Sequence, residues 1–442
     1  MGVPDKKPTS LSAPDPEQYL RGHRALPLCN LDLPAEFVLP DYSLSIANLP
    51  ATMAGLLGAE LPGAAPPLPC ALWRDLSVGV QRVVCLILDA VGWLRFSRML
   101  QDEQDLAFSR LSQSGRLVPI TSVFPGTTTS ALTSLWTGFA PAQHGLVGHN
   151  LYLPGFGQIV DTLGFSPAGQ PRRGQMIERG LVPEELPCVP GLAETLRAQG
   201  VVTRTLIHHC MVESALSRLC FRGVTEVLGF ATAADMCVCA ADMLTAHADE
   251  RLLLIAYWSE VDAISHTRGP DSRSWRAELR NVAFSLQREF LQCLPPAVRS
   301  GTLLLITADH GQTAGSADSS VQLPDHPRLQ ECLLMPPTGG PRSSYLYVRP
   351  RRLHEARGYL REELSRQFAV VDSAAALDAG LWGPGQPAAV SLERVGDLTV
   401  LGRASYMLDH TRREEALKGM HGGLSAWEML VPLLLARLDS GL

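Results

Sequence analysis

TLLLITADHGQT, residues 302–313, runs apolar and β-branched residues without a break into a carboxylate, an imidazole and a glycine. A run that is apolar at every position, not at alternate ones, reads as a strand buried on both faces. Asp309 at its end is costly unless it is solvated, paired or bound to a cation. Moving outward, RLLLIAYW (251–258) repeats the pattern and leads to Asp262 and His266, and VVCLILD (83–89) repeats it and ends on Asp89. RLVPITS (116–122) and VVTRTLI (201–207) are further strand-like runs. Helical stretches separate these runs: one through Trp93 and Met99, one starting near Thr129, and one at Val212 to Leu219. Strands alternating with helices give an α/β fold, with a mostly parallel central sheet and helices on both faces. Ligands of such sheets gather at the carboxyl ends of the strands, where these acidic residues fall.

The rest of the chain is organised around that core. Residues 1–72, rich in Pro and Leu, read as an irregular extension packed on the main body, with one short helix near Ala47 to Leu57. Residues 73–442 read as one catalytic domain. Within it, 315–400 changes character, with a polar loop, the strand-like SSYLYV (343–348), a helix over 351–367 and a strand at Phe368 to Val371. That stretch is either a small inserted lobe or a continuation of the sheet. The 46% apolar and 19% charged composition is that of a globular enzyme, and the net charge of −6 argues against a dedicated nucleic-acid binder. The first twenty residues carry no apolar run of the signal-peptide kind, and the ten cysteines form no C-x-x-C pair, so a reduced, cytoplasmic protein is expected. The aliphatic run from Met429 to Ala436, interrupted by Pro432, is too short to cross a bilayer and is read as an apolar helix.

One Asp at a strand end is usually no more than a helix cap. Asp89, Asp262 with His266, and Asp309 with His310 repeat the feature three times, and Asp plus His is the ligand mixture that suits Zn²⁺ or Mn²⁺. In FPGTTTSALTSLWTG (124–138), three threonines stand where a helix begins, so one of them is an N-cap or the site is one for phosphate. His421, in MHGGLSAWEMLVPLLL (420–435), is a ligand candidate because Gly422 and Gly423 let backbone approach closely. His144 reads as a helix-end feature. His208 and His209 read as poor joint ligands, because neighbours on a strand point to opposite faces. Tyr257, Trp258 and Glu260 are candidates to line a pocket.

Taken in order, these segments resemble the alkaline phosphatase superfamily, in its type I phosphodiesterase/nucleotide pyrophosphatase branch. ILDAVGW resembles that family's first metal-ligand strand and FPGTTTSALTSLWTGFAPAQHGLVG its nucleophile segment. SEVDAISHTRGP, TADHGQT and MHGG resemble its later ligand elements. The resemblance implies two divalent metals, zinc or manganese. One would be held by Asp262, His266 and His421, the other by Asp89, Asp309 and His310. Counting back from Thr137-Gly138 implies Thr128 as the nucleophile, with Thr127 and Thr129 open because the register can slip by one. The implied reaction is hydrolysis of a small-molecule phosphate ester through a phospho-threonine, with neither nucleic acid nor membrane as partner. The phosphate-binding Asn of that branch falls here on Ala131, which leaves Asn150 as the candidate substitute, and its nucleotide-stacking aromatics have no counterpart. A sulfatase nucleophile motif and the serine pattern of the phosphoglycerate mutases are both missing. A phosphomonoesterase of the same fold and a non-catalytic metal-binding interaction protein are the competing readings.

Overall fold

In the computed structural model, residues 15–26, 28–29, 31–411 and 417–439 are described. Seven strands form the central sheet: β1 Arg82–Leu88, β2 Arg116–Thr121, β3 Val202–His208, β4 Glu226–Phe230, β5 Leu252–Trp258, β6 Thr302–Thr307 and β7 Leu430–Arg437. Across the sheet they run β2-β7-β6-β1-β5-β3-β4. All are parallel except β7, which runs antiparallel to both of its neighbours. Every residue of β1, β5 and β6 is buried, which is why those three runs read as continuously apolar. They are adjacent and in register, Leu88 opposite Trp258 and Ile87 opposite Thr307. The residues that follow them therefore emerge side by side at one edge.

One expectation fails at the C-terminal end. The apolar run after the Gly422-Gly423 turn is not a helix: only Ala426–Met429 is helical, and Leu430–Arg437 is a strand. Apolar runs of this length do not distinguish a buried strand from a buried helix by periodicity. Pro432 argued against a strand interior, but it sits opposite Pro119 on the edge strand β2. At that position neither ring withholds an N–H from its partner.

A second, antiparallel sheet draws strands from two places in the chain. Phe368–Asp372, Leu398–Gly402, Ser343–Leu346 and Thr338–Gly340 pair in that order, and Thr338–Gly340 continues into Asn150–Leu153, Gln158–Asp161 and Ser166–Pro167. The stretch 315–400 is thus joined by a hairpin from residues 150–161 and does not stand apart. Alternation along these strands divides their side chains between two cores. Tyr345, Leu401 and Val371 enter the main core, while Leu346, Val400 and Phe368 meet Leu360 of the helix Leu353–Glu363 in a smaller one. The N-terminal segment contributes Phe37, Leu39 and Ile46 to the main core and carries the helix Leu49–Leu56. Its Val38 N–H donates to Leu424 O at 2.7 Å, beside the turn that bears His421.

The two sheets are locked by an ion pair with no solvent exposure on either side chain. Arg342 places Nε 3.0 Å and Nη2 2.8 Å from the two oxygens of Glu428, and its remaining N–H groups reach the carbonyls of Tyr406 and Ala404. Glu428 also accepts from Gly423 N at 2.8 Å and Ser425 Oγ at 2.6 Å, fixing the Gly422-Gly423 turn. Removing one member strands a buried charge, whereas replacing both need not destabilise. Arg342→Ala should lower the stability measured by urea unfolding by about 3–5 kcal/mol, and the double change Arg342→Met with Glu428→Leu should recover most of that loss. Equal losses in both variants would show that the pair contributes shape and not charge compensation.

Candidate active site

The three carboxylates reach the same edge by different local routes. Asp89 directly follows β1, and its N–H donates to Trp258 O at 2.9 Å, extending the ladder by one residue. Asp309 lies two residues beyond β6, and its Oδ1 accepts from Ala90 N at 3.2 Å and His310 N at 2.9 Å. Asp262 stands in the first turn of a helix, Glu260–Arg268, that starts just after β5. His266 follows four residues later on the same face, with Nε2 3.3 Å from Asp262 Oδ1. Gly311 permits the tight passage of the β6 loop: a Cβ there would lie 2.1 Å from Trp427 O. Gly422, at φ +104°, makes the turn that presents His421.

The imidazoles are oriented alike. His266 Nδ1 lies 2.7 Å from Gly419 O, His310 Nδ1 3.0 Å from Gly311 O, and His421 Nδ1 3.0 Å from Gly126 O. A carbonyl can only accept, so each Nδ1 carries the proton and each Nε2 keeps its lone pair. That is the arrangement in which a metal-ligating histidine is held by its other nitrogen. The rings of His310 and His421 stack at 3.8 Å between centroids, 9° from parallel.

Donor atoms converge in two groups, each within 4.8 Å: Asp89, Asp309 and His310, and Asp262, His310 and His421. His310 belongs to both, but one Nε2 lone pair can serve only one. His266 completes the second group through Asp262. The first set joins Asp89 to His310 and the second Asp262 to His421, so each comes together from segments more than one hundred and fifty residues apart. The electrostatics carry the same message. Asp89 Oδ1 and Asp309 Oδ2 are buried without a hydrogen-bond partner, and the nearby polar atom is His310 Nε2, at 3.5 and 3.3 Å. Burial, then Asp309 and Asp262, push the Asp89 carboxyl well above its usual range, and burial pushes Asp309 up to about 6. Burial also opposes charge on Asp262, yet His266 and then His421 hold it below the usual range. His310 is pushed down to about 4 and His421 to about 3, chiefly by burial. A cluster of acidic oxygens with neutral imidazole lone pairs, and no cationic side chain among its donors, fits divalent cations.

The three threonines separate cleanly. Thr127 Oγ1 donates to Ser130 Oγ at 3.0 Å and Thr129 Oγ1 accepts from Thr162 Oγ1 at 3.1 Å, both buried. Thr128, the first residue of the helix Thr128–Thr137, instead places its Oγ1 3.4 Å from His310 Nε2. Asn150 opens a strand of the second sheet opposite Gly339 and Asp161, and no hydrogen bond described here joins it to the cluster. His144 is buried between Ser134 Oγ and Leu146 N, a helix-end fixture.

Gln312, one residue past the D-H-G run, escaped the sequence and donates to Asp262 Oδ1. Tyr257, expected to line a pocket, does so and also donates to Asp89 Oδ2. The only sequence signal was position, since each adjoins a ligand segment. His208 and His209 also behave unexpectedly. β3 ends at His208 and a turn follows, so the rings lie on the same side, 4.5 Å apart, with Cys210 nearby. The opposite-face rule does not extend past the last strand residue.

Comparison with known proteins accords with this geometry. The family profile described as type I phosphodiesterase/nucleotide pyrophosphatase matches residues 83–424. Among solved structures, murine ectonucleotide pyrophosphatase/phosphodiesterase 5 superposes with a TM-score of 0.60 at 17% identity, over 79% of this chain and 87% of that one. An inactive form of the murine protein in complex with AMP gives 0.59 at 16% identity, over 79% and 87%. Phosphonoacetate hydrolase from Sinorhizobium meliloti 1021, in complex with phosphonoformate, gives 0.59 at 17%, over 80% and 89%. A search of curated proteins by sequence found no significant match.

The buried carboxylates generate an opposed pair of expectations. Asp309 at about 6 lies above its ordinary 3.8, so the folded state holds a proton that the unfolded chain releases. That contribution is present at low pH and is lost as pH climbs toward 6, leaving a destabilising charge at pH 8. Metal-free Asp309→Asn should therefore unfold at pH 8 at a temperature no lower than the metal-free wild type. Zn²⁺ or Mn²⁺ at a hundredfold excess over its dissociation constant should stabilise the wild type by about 2.7 kcal/mol and the variant far less. An Asn variant that loses stability without metal, or keeps the full metal response, would contradict this account.

Proposed function

Because the chain belongs to the type I phosphodiesterase/nucleotide pyrophosphatase family, within the alkaline phosphatase superfamily, we propose that it is a two-metal hydrolase of phosphate diesters acting through Thr128. One observation carries the assignment of the nucleophile. Of the three consecutive threonines, Thr127 and Thr129 have hydroxyls bonded to other buried hydroxyls, and Thr128 alone turns its hydroxyl to the ligand cluster. Asp262, His266 and His421 would hold one cation, and Asp89, Asp309 and His310 the other, with Zn²⁺ the better fit to three imidazoles and Mn²⁺ the alternative. When bound, the cations supply the positive charge that lowers the pKa of the attacking hydroxyl and neutralises the phosphoryl oxygens.

The chain's own groups account for the rest of the reaction. Thr128 Oγ1 releases its proton to solvent and attacks phosphorus in line; the Thr128 O–P bond forms as the ester P–O bond opposite it breaks, and the departing alkoxide takes a proton from solvent. Water then attacks the phospho-threonine, releasing phosphate monoester and restoring the Thr128 hydroxyl. The N-terminal turn of the ten-residue helix directs backbone N–H groups and the positive end of its dipole at the phosphoryl oxygens. Tyr257 and Gln312 hold Asp89 and Asp262 in place, and the three backbone carbonyls fix the imidazole rings. Asn150 remains the side chain proposed to stand in for the amide missing at Ala131. It would reach substrate from the second sheet.

Turnover of bis-p-nitrophenyl phosphate and p-nitrophenyl phosphate, with Zn²⁺ or Mn²⁺, tests the reading. The diester should be preferred, chelation should abolish activity, and Thr128→Ala should lower kcat by at least about 10³. Thr127→Ser and Thr129→Ser should stay within about tenfold of wild type, because each retains its hydroxyl hydrogen bond. Monoester preference would move the enzyme to the phosphatases. Full activity in Thr128→Ala would remove the proposed nucleophile.

A further inference from the structure

Thr128 lines a cleft of about 480 Å³, its open mouth included. Leu132 and Trp136 follow Thr128 at four-residue intervals, so the helix lays one apolar stripe from the nucleophile outward. Facing that stripe are Ile207, Leu216 and Phe221, and the Phe221 ring packs 4.8 Å from that of Trp136. The serine and tyrosine hydroxyls in the wall are already engaged. Ser214 Oγ donates to Ser217 Oγ and accepts from Ser217 N; Ser217 Oγ in turn donates to Met211 O at 2.6 Å. The Tyr257 hydroxyl is held by Asp89, and burial raises the Cys220 thiol to about 12, so it stays neutral. Arg173, exposed at the mouth, is the one charged side chain of the lining.

We propose that this cleft binds an unbranched alkyl or single-ring aryl group of the ester, so that the preferred substrates are apolar phosphodiesters and not nucleotides. The inference rests on Thr128 as nucleophile and specifies what is presented to it. A nucleobase would carry several donors and acceptors past the Arg173 mouth into a wall whose serine and tyrosine hydroxyls are already engaged. Each unmatched group costs roughly tenfold or more in affinity. An alkyl chain has nothing to match, and each methylene removed from water gains up to about fourfold. Arg173 would attract the anionic diester without discriminating between the groups it carries.

The test uses the metal-loaded full chain and p-nitrophenyl diesters in which only the second group varies: methyl, butyl, hexyl, phenyl and 5′-thymidine. Across the alkyl series kcat/KM should climb at least tenfold, with the thymidine ester at least tenfold below hexyl. Leu132→Gln and the half-exposed Met211→Gln should both compress the hexyl-to-methyl ratio; the second guards against misfolding of the first. A flat series or a thymidine preference would overturn the proposal, while loss of turnover in Thr128→Ala would still uphold hydrolysis. Calorimetric binding of hexyl phosphate against methyl phosphate reads the cleft without turnover. Equal affinities would overturn it, and tighter hexyl binding in a protein that hydrolyses no diester would uphold the cleft and sink the hydrolase reading alone.

Discussion

Asp89 Oδ1 and Asp309 Oδ2 are buried oxygens with no donor, and Asp262 adds a third carboxylate to the same edge. A protein interior tolerates such a concentration of negative charge only where something compensates it. Much of the surrounding structure can be understood as serving that constraint. The in-register central strands deliver the carboxylates to one edge, the neighbouring carbonyls turn imidazole lone pairs inward, and glycines at 311 and 422 let the loops close without a side chain in the way. Apart from Ala90, a non-glycine held at φ +61° beside Asp89, the carboxylates and imidazoles sit on ordinary backbone conformations. What is costly is their sum, and a cation is the economical counterweight to it.

The buried Arg342–Glu428 pair ties this site to the second sheet. Glu428 holds the backbone of Gly423, two residues from His421, and Arg342 adjoins the strand Ser343–Leu346. The position of His421 is therefore linked to the packing of a lobe that contributes none of the proposed metal ligands. A charge pair enforces such a link more strictly than apolar contact, because displacement of either partner leaves an ion in a dry interior. The N-terminal segment reinforces it through the Val38 to Leu424 hydrogen bond on the far side of the same turn.

How much of this was legible in the sequence depended on how local the signal was. The buried parallel strands announced themselves because burial on both faces imposes an apolar run. Asp89, Asp262 and Asp309 stood out because three strands end this way, two of them with a histidine, more often than helix capping alone would give. The strand Leu430–Arg437 was misread because an apolar run holding Pro432 looks alike as helix or strand until its partner, Pro119, is known. Arg342, Gln312 and the carbonyls of Gly126 and Gly419 were invisible: their roles arise from contacts across tens or hundreds of residues, and an arginine or a glycine is ordinary in isolation. The triple threonine was ambiguous in sequence for a related reason. Register within a run of identical residues is settled only by which hydroxyls have partners elsewhere.

The site and the cleft meet at Thr128 and Tyr257, and the helix Thr128–Thr137 explains the first of these junctions. Its first turn belongs to the polar edge, where dipole and amides favour an anion, while the face continuing through Leu132 and Trp136 belongs to the apolar wall. On the proposed reading, chemistry and selectivity are built from opposite ends of one ten-residue element. The missing amide at Ala131 belongs to the same division. Ala131, one position before Leu132, is fully buried and offers no hydrogen bond from its side chain, so on the proposed reading phosphate recognition would rest on the helix terminus, the ligand cluster and Asn150. Under the proposed function, such a site would fix where a phosphoryl group sits by charge, and would leave the identity of what it carries to shape and to engaged hydroxyls in the wall.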